Sequence, residues 1–193
     1  MRGGWRWAIV ASALCMSACV SSGESVVGRS AVERPAWVDG NVEDEPQSFV
    51  WVVFKKADIF RLDLGIKQAQ VAAVAAAPKL LRDRVLNDLY VKAEKILGAQ
   101  LFAEAKSSID SIWNEIPVLR DSPDATPAKT YHEEIQREGA SGVRVSYDVY
   151  VLLSILRHDY ELQMMEAMKQ MLESKNVSLV KVGQQLQKEF SPE

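Results

Sequence analysis

At 193 residues, 48% of them hydrophobic and 25% charged, the chain is long enough to bury one core of ordinary size and requires no second domain. Its 23 basic and 26 acidic residues give a formal net charge of −3, which draws no nucleic acid. With two cysteines and two histidines, neither a cysteine-rich site nor a soft transition-metal centre is expected, and no cofactor is implied.

Arg2 and Arg6 give a positive start, and Trp7 to Ala18 is an apolar run far shorter than the roughly 20 residues of a spanning helix. Beyond Cys19 the chain turns polar at Ser21, Ser22, Gly23 and Glu24, so nothing extends the run into a stop-transfer helix. Met16, Ser17, Ala18 and Cys19 resemble the lipobox of bacterial lipoproteins, in which an aliphatic and two small residues precede the cysteine that becomes the mature N-terminus. The resemblance implies a signal peptide over 1–18, a diacylglyceryl thioether on Cys19 and an acylated amine. Each buried methylene contributes about 0.8 kcal/mol, so two or three acyl chains anchor stably where one does not. An ordinary cleaved signal with an incidental cysteine is the other reading. Val20, rather than an aspartate, follows Cys19, which favours the outer membrane, facing the periplasm, over the inner membrane. Losing Arg2 and Arg6 leaves 21 basic against 26 acidic residues, a net charge of −5, and losing Cys15 leaves no free thiol once Cys19 is lipidated.

Residues 19–33 are Ser, Gly, Val and a few charges without period, and are expected to be a flexible tether that lets the domain stand off the bilayer. Ordered structure is expected from Arg34, in a single domain over 34–193. Pro35 holds an extended approach, Trp37 is a large apolar anchor or a ligand platform, and Asp39 with Gly40 signals a turn. Phe49 to Phe54 is β-branched and aromatic on both faces and predicts a central strand ended by Lys55 and Lys56.

Asp63 is placed to cap an alanine-rich helix over 66–77, which Pro78 is expected to break or kink. From Lys79, Leu81, Val85, Leu89, Ala93 and Ile96 share one helical face, with Arg82 the exception on the apolar side. After Gly98 a second stripe runs through Leu101, Phe102, Ala105, Ile109, Ile112, Trp113 and Ile116. Pro117, Pro123 and Pro127 mark a loop too proline-rich for a central strand. Residues 129–137 and 143–156 predict a hairpin, with Val143, Val145, Tyr147, Val149, Val151, Leu153 and Ile155 on a buried side and Arg144, Ser146 and Asp148 opposite. Tyr160, Met164, Met165, Met168, Met171 and Leu172 form a helical stripe, either an adaptable binding face or a helix packed on the sheet. Leu179, Val182, Leu186 and Phe190 make a last amphipathic helix, a candidate for docking a partner. The expected fold is α+β: a small antiparallel sheet, strands near 49–54, 129–137 and 143–156, packed by several amphipathic helices.

Reactive motifs are not found. His132 and Glu133 begin like a zinc helix, but Gln136 stands where the second histidine is needed. His158 beside Asp159 makes a poor base pair because adjacent side chains diverge, and Glu133 with Glu134 reads as a solvated charge run. The residues around Ser141 lack the spacing of a nucleophile elbow.

A lipobox cysteine, a short tether, then Pro35, Ala36, Trp37 and Val38 before an apolar strand and an alanine-rich helix resemble the LPP-twenty type of bacterial lipoproteins, related in fold to the N-terminal domain of the flagellar ring protein FlgT. Val149 to Ile155, followed by Tyr160 and Glu161, resembles that family's late strand. The resemblance implies a small α+β domain anchored in the envelope and not catalytic. The expected function is therefore a lipid-anchored envelope protein with a structural, assembly or interaction role and an envelope protein as partner. Trp37, Met165, Met168 and Phe190 are the candidate contact residues. The alternative is a binder of a small apolar ligand or lipid, whose signature would be an enclosed cavity lined by Met165, Met168 and Tyr150. An enzyme would need a cleft gathering His132, His158 and carboxylates.

Overall fold

Two strands of fifteen residues, β3 (Ala125–Gly139) and β4 (Gly142–Leu156), pair along their whole length, and the rest of the fold is laid on that hairpin. The computed structural model describes residues 23–42, 48–116, 123–139 and 142–190. The signal segment and Cys19 lie outside the described residues. β1 (Glu24–Arg29) joins the far side of β3 and β2 (Phe49–Ile59) the far side of β4, giving an antiparallel sheet in the order β1-β3-β4-β2. Helices α1 (Leu62–Leu97), α2 (Ala99–Glu115), α3 (Arg157–Leu172) and α4 (Val177–Phe190) complete an α+β fold. No helix among the described residues is long and apolar enough to cross a membrane.

The expected strands are present but longer, and one was not expected. β1 occupies part of the stretch read as a tether: Glu24 pairs with Arg137 and Arg29 with Glu133, so the chain is already in the sheet ahead of Arg34. β2 is not the central strand expected but an edge strand, paired only with β4, and it does not stop at Lys55 and Lys56. It continues past a bulge to Ile59, opposite Tyr147, with Asp58 in the left-handed region at φ 58°. Pro127 lies inside β3, contrary to the loop expected there. It sits beyond the reach of β1, on an open edge and beside a register shift between Pro127 and Lys129, where no ladder donor is lost.

The sheet has two unlike faces. Val50, Val52, Val149, Val151, Leu153 and Ile155 point into the helix layer and form the main core with it. On the other face a smaller cluster of Val38, Tyr131 and Tyr150 is closed by Trp37, from the short 3-10 turn Ala36–Asp39, and by Val53. The expected alternation of β4 fails at its start: Val143 and Val145 are exposed, whereas Ser146 and Asp148 are buried. α1 begins beside Ile59, level with Tyr147, and runs toward the other end of β4, so it covers neither of the first two.

Pro78 does not break the helix. α1 runs through it for 36 residues, because Ala77 and Leu81 on either side are buried and hold the turn in place. Arg61, not Asp63, is the N-cap, and Asp63 falls in the first turn, where the Leu64 amide holds its carboxyl below the usual range. The buried positions of α1 are Gly65, Ala69, Ala73, Ala77, Leu81, Val85, Leu89, Ala93 and Leu97. Against about 3.6 residues per turn, this four-residue repeat rotates by about 40° at each step. The first half of α1 therefore faces the sheet, where Gln70 donates to Thr130 of β3 at 3.1 Å. The second half faces the other helices: Tyr160 of α3 donates to Asp88 at 3.0 Å, Tyr90 bonds Asp110 of α2, and Lys92 pairs with Glu189 of α4.

Arg82, out of place on an apolar stripe, is explained by the end of α2. It donates to the carbonyls of Trp113 and, at 2.8 Å, Ile116, and its guanidinium lies 4.7 Å from the Trp113 ring centroid. Those carbonyls have no partner within their own helix, and a cation suits the negative end of the helix dipole. The apolar stripe of α4, read as a docking face, is consumed internally: Leu179, Val182 and Leu186 are all buried in the main core.

Two glycines permit close approach. A methyl at Gly183 of α4 would meet Leu172 Cγ at 3.0 Å, and one at Gly65 would overlap Ile59 Cγ2, with Ile59 Cβ itself only 3.2 Å away. In an exposed helix Gly→Ala stabilises by about 1 kcal/mol. Here Gly65→Ala is expected to destabilise by about 1–3 kcal/mol through overpacking, and an Ile59→Ala background should remove most of that cost. Chemical denaturation of the two single variants and the double variant checks the sign and the coupling.

Candidate functional site

The buried polar residues of the sheet gather on the face away from the main core. At alternate positions β3 presents Tyr131, Glu133, Ile135 and Arg137, and their partners on β4 are Tyr150, Asp148, Ser146 and Arg144. Glu133 and Asp148 are therefore direct cross-strand neighbours, at 3% and 1% exposure. Two like charges in this position repel and are costly to desolvate unless cations meet them.

Four cations from four parts of the chain do so. Arg34 Nη1 donates to Glu133 Oε2 at 2.5 Å, and Arg29 Nε of β1 lies 3.7 Å from Oε1. The hydroxyls of Tyr131 and Tyr150 donate to the same carboxylate at 3.1 and 3.4 Å. Lys55 of β2 pairs with Asp148 at 2.7 Å, and Arg137 lies 3.7 Å from its other oxygen. The bulge in β2 serves this cluster, because Asp58 at the bulge turns its amide toward Asp148 at 3.4 Å and its carboxylate toward Arg137 at 2.5 Å.

Arg34 also holds Asp39 at 2.9 Å, and its guanidinium sits 5.1 Å from the Tyr150 ring centroid. Asp39 first, and then Glu133, raise the Arg34 pKa above the ordinary arginine value. Asp148 raises that of Lys55. Burial opposes the charge of Arg137, but Asp58, Glu24 and Asp148 outweigh it and raise its pKa as well. Burial, and then Glu133, keep the Tyr131 phenol protonated beyond its usual range. Each carboxylate is thus occupied, and the arrangement clamps the arm from Gly23 to Gly40 to the hairpin, β1 along the edge of β3 and the segment with Trp37 and Val38 over the outer face.

Glu133 is the main correction to the sequence reading. It is not part of a solvated charge run, and only Glu134 beside it points the other way. The signal was present in the period of two, since Glu133 lies between Tyr131 and Ile135 on one face of a strand. Trp37 packs edge-on to Tyr131 at 6.4 Å and closes the small outer cluster, the position of a core plug. Met165 is 42% exposed on α3, while Met168 and Phe190 are half-buried against the main core, with Lys92 Nζ 5.7 Å from the Phe190 ring centroid. Trp37 is thus on one face of the sheet and the other three are with the helices. Tyr150 is likewise on the outer face, so it lines no common cavity with Met165 and Met168. Two open grooves are lined by other side chains: one of about 190 Å³ by Trp51, Val53, Leu80 and Arg84, and one of about 360 Å³ by Phe49, Arg157, His158 and Glu161.

His132 is half-buried on the helix side of β3, edge-on to Tyr147 at 6.1 Å, and burial lowers its pKa against the opposing charge of Glu134. It pairs with Val149, whereas His158 starts α3 beyond the other end of β4, so the two histidines are not brought together. No group of three His, Cys, Asp or Glu able to hold a metal occurs among the described residues. Compared with family models, curated proteins and solved structures, the chain matches none.

Arg34→Ala is expected to cost about 1.5–3 kcal/mol, the range for a hydrogen bond to a charged group. Arg34→Met combined with Glu133→Leu should cost less than the two changes summed, because no unpaired buried charge is left. Denaturation gives the energies, and faster amide exchange in β1 would show that the arm has loosened. Lys55 gives a pH test of the same cluster. Its folded pKa is raised, so its contribution is complete below about pH 10.4, the unfolded value, and is lost as pH rises through the higher folded value. Urea unfolding from pH 9 to 12 should therefore show a steeper alkaline loss for the wild type than for Lys55→Met.

Proposed function

We propose that the chain is a bacterial envelope lipoprotein, held by acyl chains such as palmitate on Cys19 at the periplasmic face of the outer membrane, whose domain has a structural or interaction role with another envelope protein. The observation that carries this reading is the junction of anchor and domain. The lipobox-like Met16–Cys19 lies immediately upstream of a strand bonded into the sheet, with only four residue steps between Cys19 and Gly23, whose carbonyl accepts from Glu138 N at 3.0 Å. The use of the buried charges supports a non-catalytic role, since they bind the arm and leave no carboxylate oxygen directed at a cleft.

Intact mass and fractionation of the full-length protein and of Cys19→Ala test the proposal. Wild type is expected to carry acyl mass on Cys19 and to co-sediment with outer membrane, and Cys19→Ala to lose both. An unmodified, freely soluble wild-type protein would overturn it.

A further inference from the structure

The end of the sheet next to the β3–β4 turn exposes apolar side chains that no other element among the described residues covers. Val143 and Val145 project from the same face of β4 as Val149, Val151 and Leu153, which have no exposure at all, yet Val143 is 62% exposed and Val145 42%. The cause is the course of α1. Gly65, in its first turns, lies against Ile59, whose partner is Tyr147, and by Gln70 the helix has reached Thr130, whose partner is Val151. α1 thus leads away from this end and never passes over Val143 and Val145. Phe60, 62% exposed, follows the last residue of β2 at the same end, and the guanidinium of Arg144 sits 5.9 Å from its ring centroid.

The chain itself says what meets this end. Glu138 of β3 is bonded to Gly23 on one side and pairs with Val143 on the other. At about 4.8 Å between neighbouring strands, Gly23 is about 10 Å from Val143. Cys19 is four residue steps before Gly23, and four residues span at most about 14 Å. The anchored cysteine is therefore within about 24 Å of Val143, whereas Ile155 at the other end of β4 is about 40 Å farther along the strand.

On the proposed lipoprotein reading, we infer that this end of the sheet is a membrane seat: Phe60, Val143 and Val145 rest in the headgroup and acyl boundary of the bilayer that holds the Cys19 lipid. Arg144 above Phe60 has the form suited to that boundary, a cation for phosphate oxygens over an aromatic ring for the acyl region. The domain then stands end-on, with the end that carries His158 directed away from the membrane.

The test uses the full-length protein, expressed in bacteria, extracted from membranes and reconstituted in vesicles of phosphatidylethanolamine and phosphatidylglycerol. A lipidated mature chain has no free thiol, so Val143→Cys, Phe60→Cys and, as the distal control, His158→Cys each take a single spin label. Intact mass is read on the same samples. With acyl mass present, labels at 143 and 60 are expected to lose collisions with a water-soluble nickel chelate and gain them with oxygen, while the label at 158 stays open to the chelate. Acylated protein whose labels at 143 and 60 remain as open to the chelate as that at 158 overturns the seat and leaves the anchor standing. Acylated protein with all three labels shielded overturns the end-on orientation. Protein without acyl mass overturns the anchor and the seat together.

Discussion

The facing carboxylates of Glu133 and Asp148 are the constraint around which the outer half of this protein is arranged. Each loses several kcal/mol of hydration when buried, and neither relieves the other. The charge is met by cations brought from β1, from the segment before the 3-10 turn, from β2 and from β3 itself. An apolar pair at the two positions would hold β3 to β4 as well or better. It would not specify which segment lies over them, nor require the bulge that aims Asp58 at Arg137 and Asp148. The buried charges thus give the arm its address on the sheet, a gain in specificity more than in stability.

On the opposite face the same task is done without charge. α1 carries small residues, Gly65, Ala69, Ala73 and Ala77, where it crosses the sheet, and large ones, Leu81, Val85 and Leu89, where it meets the other helices. Close approach to the strands and deep packing among helices are thereby assigned to successive segments of one element. The drift of its four-residue repeat turns the buried row from one partner to the next, which is why one uninterrupted helix can bind two layers. The Arg82 contacts with the end of α2 lie just past this change of partner.

Much of this was legible in the sequence. The β3–β4 hairpin, the stripes of α2, α3 and α4 and the existence of β2 follow from apolar spacing, but burial on both faces did not distinguish a central strand from β2, which lies at the sheet edge. Pro78 misled because a local rule about a missing amide was set against tertiary packing on both sides of it. β1 was not legible, since its six residues are exposed or half-exposed and are held by ladder bonds and by Arg29, not by an apolar face. The clamp escaped for a related reason. A glutamate beside a second glutamate reads as surface, and its burial is made tolerable largely by cations distant in the chain, Arg29 and Arg34, the latter 99 residues earlier. Long-range charge pairing leaves no period in a sequence.

The unexpected strand changes what an anchor at Cys19 would do. A flexible link of fifteen residues has a root-mean-square reach of about 20 Å and would let a domain turn freely above a bilayer. With β1 bonded from Gly23 and the arm clamped through Arg34 and Glu133, four residue steps remain. From a lipid anchor at Cys19, such a link would hold the domain beside the surface and restrict which end could approach it. Contacts with partners in the same membrane would then form between bodies of limited height and orientation, which raises effective concentration without adding any contact energy. On the proposed lipoprotein reading, the clamp on the outer face of the sheet, remote from every apolar stripe that marked the fold, would set how far the domain can stand from the membrane.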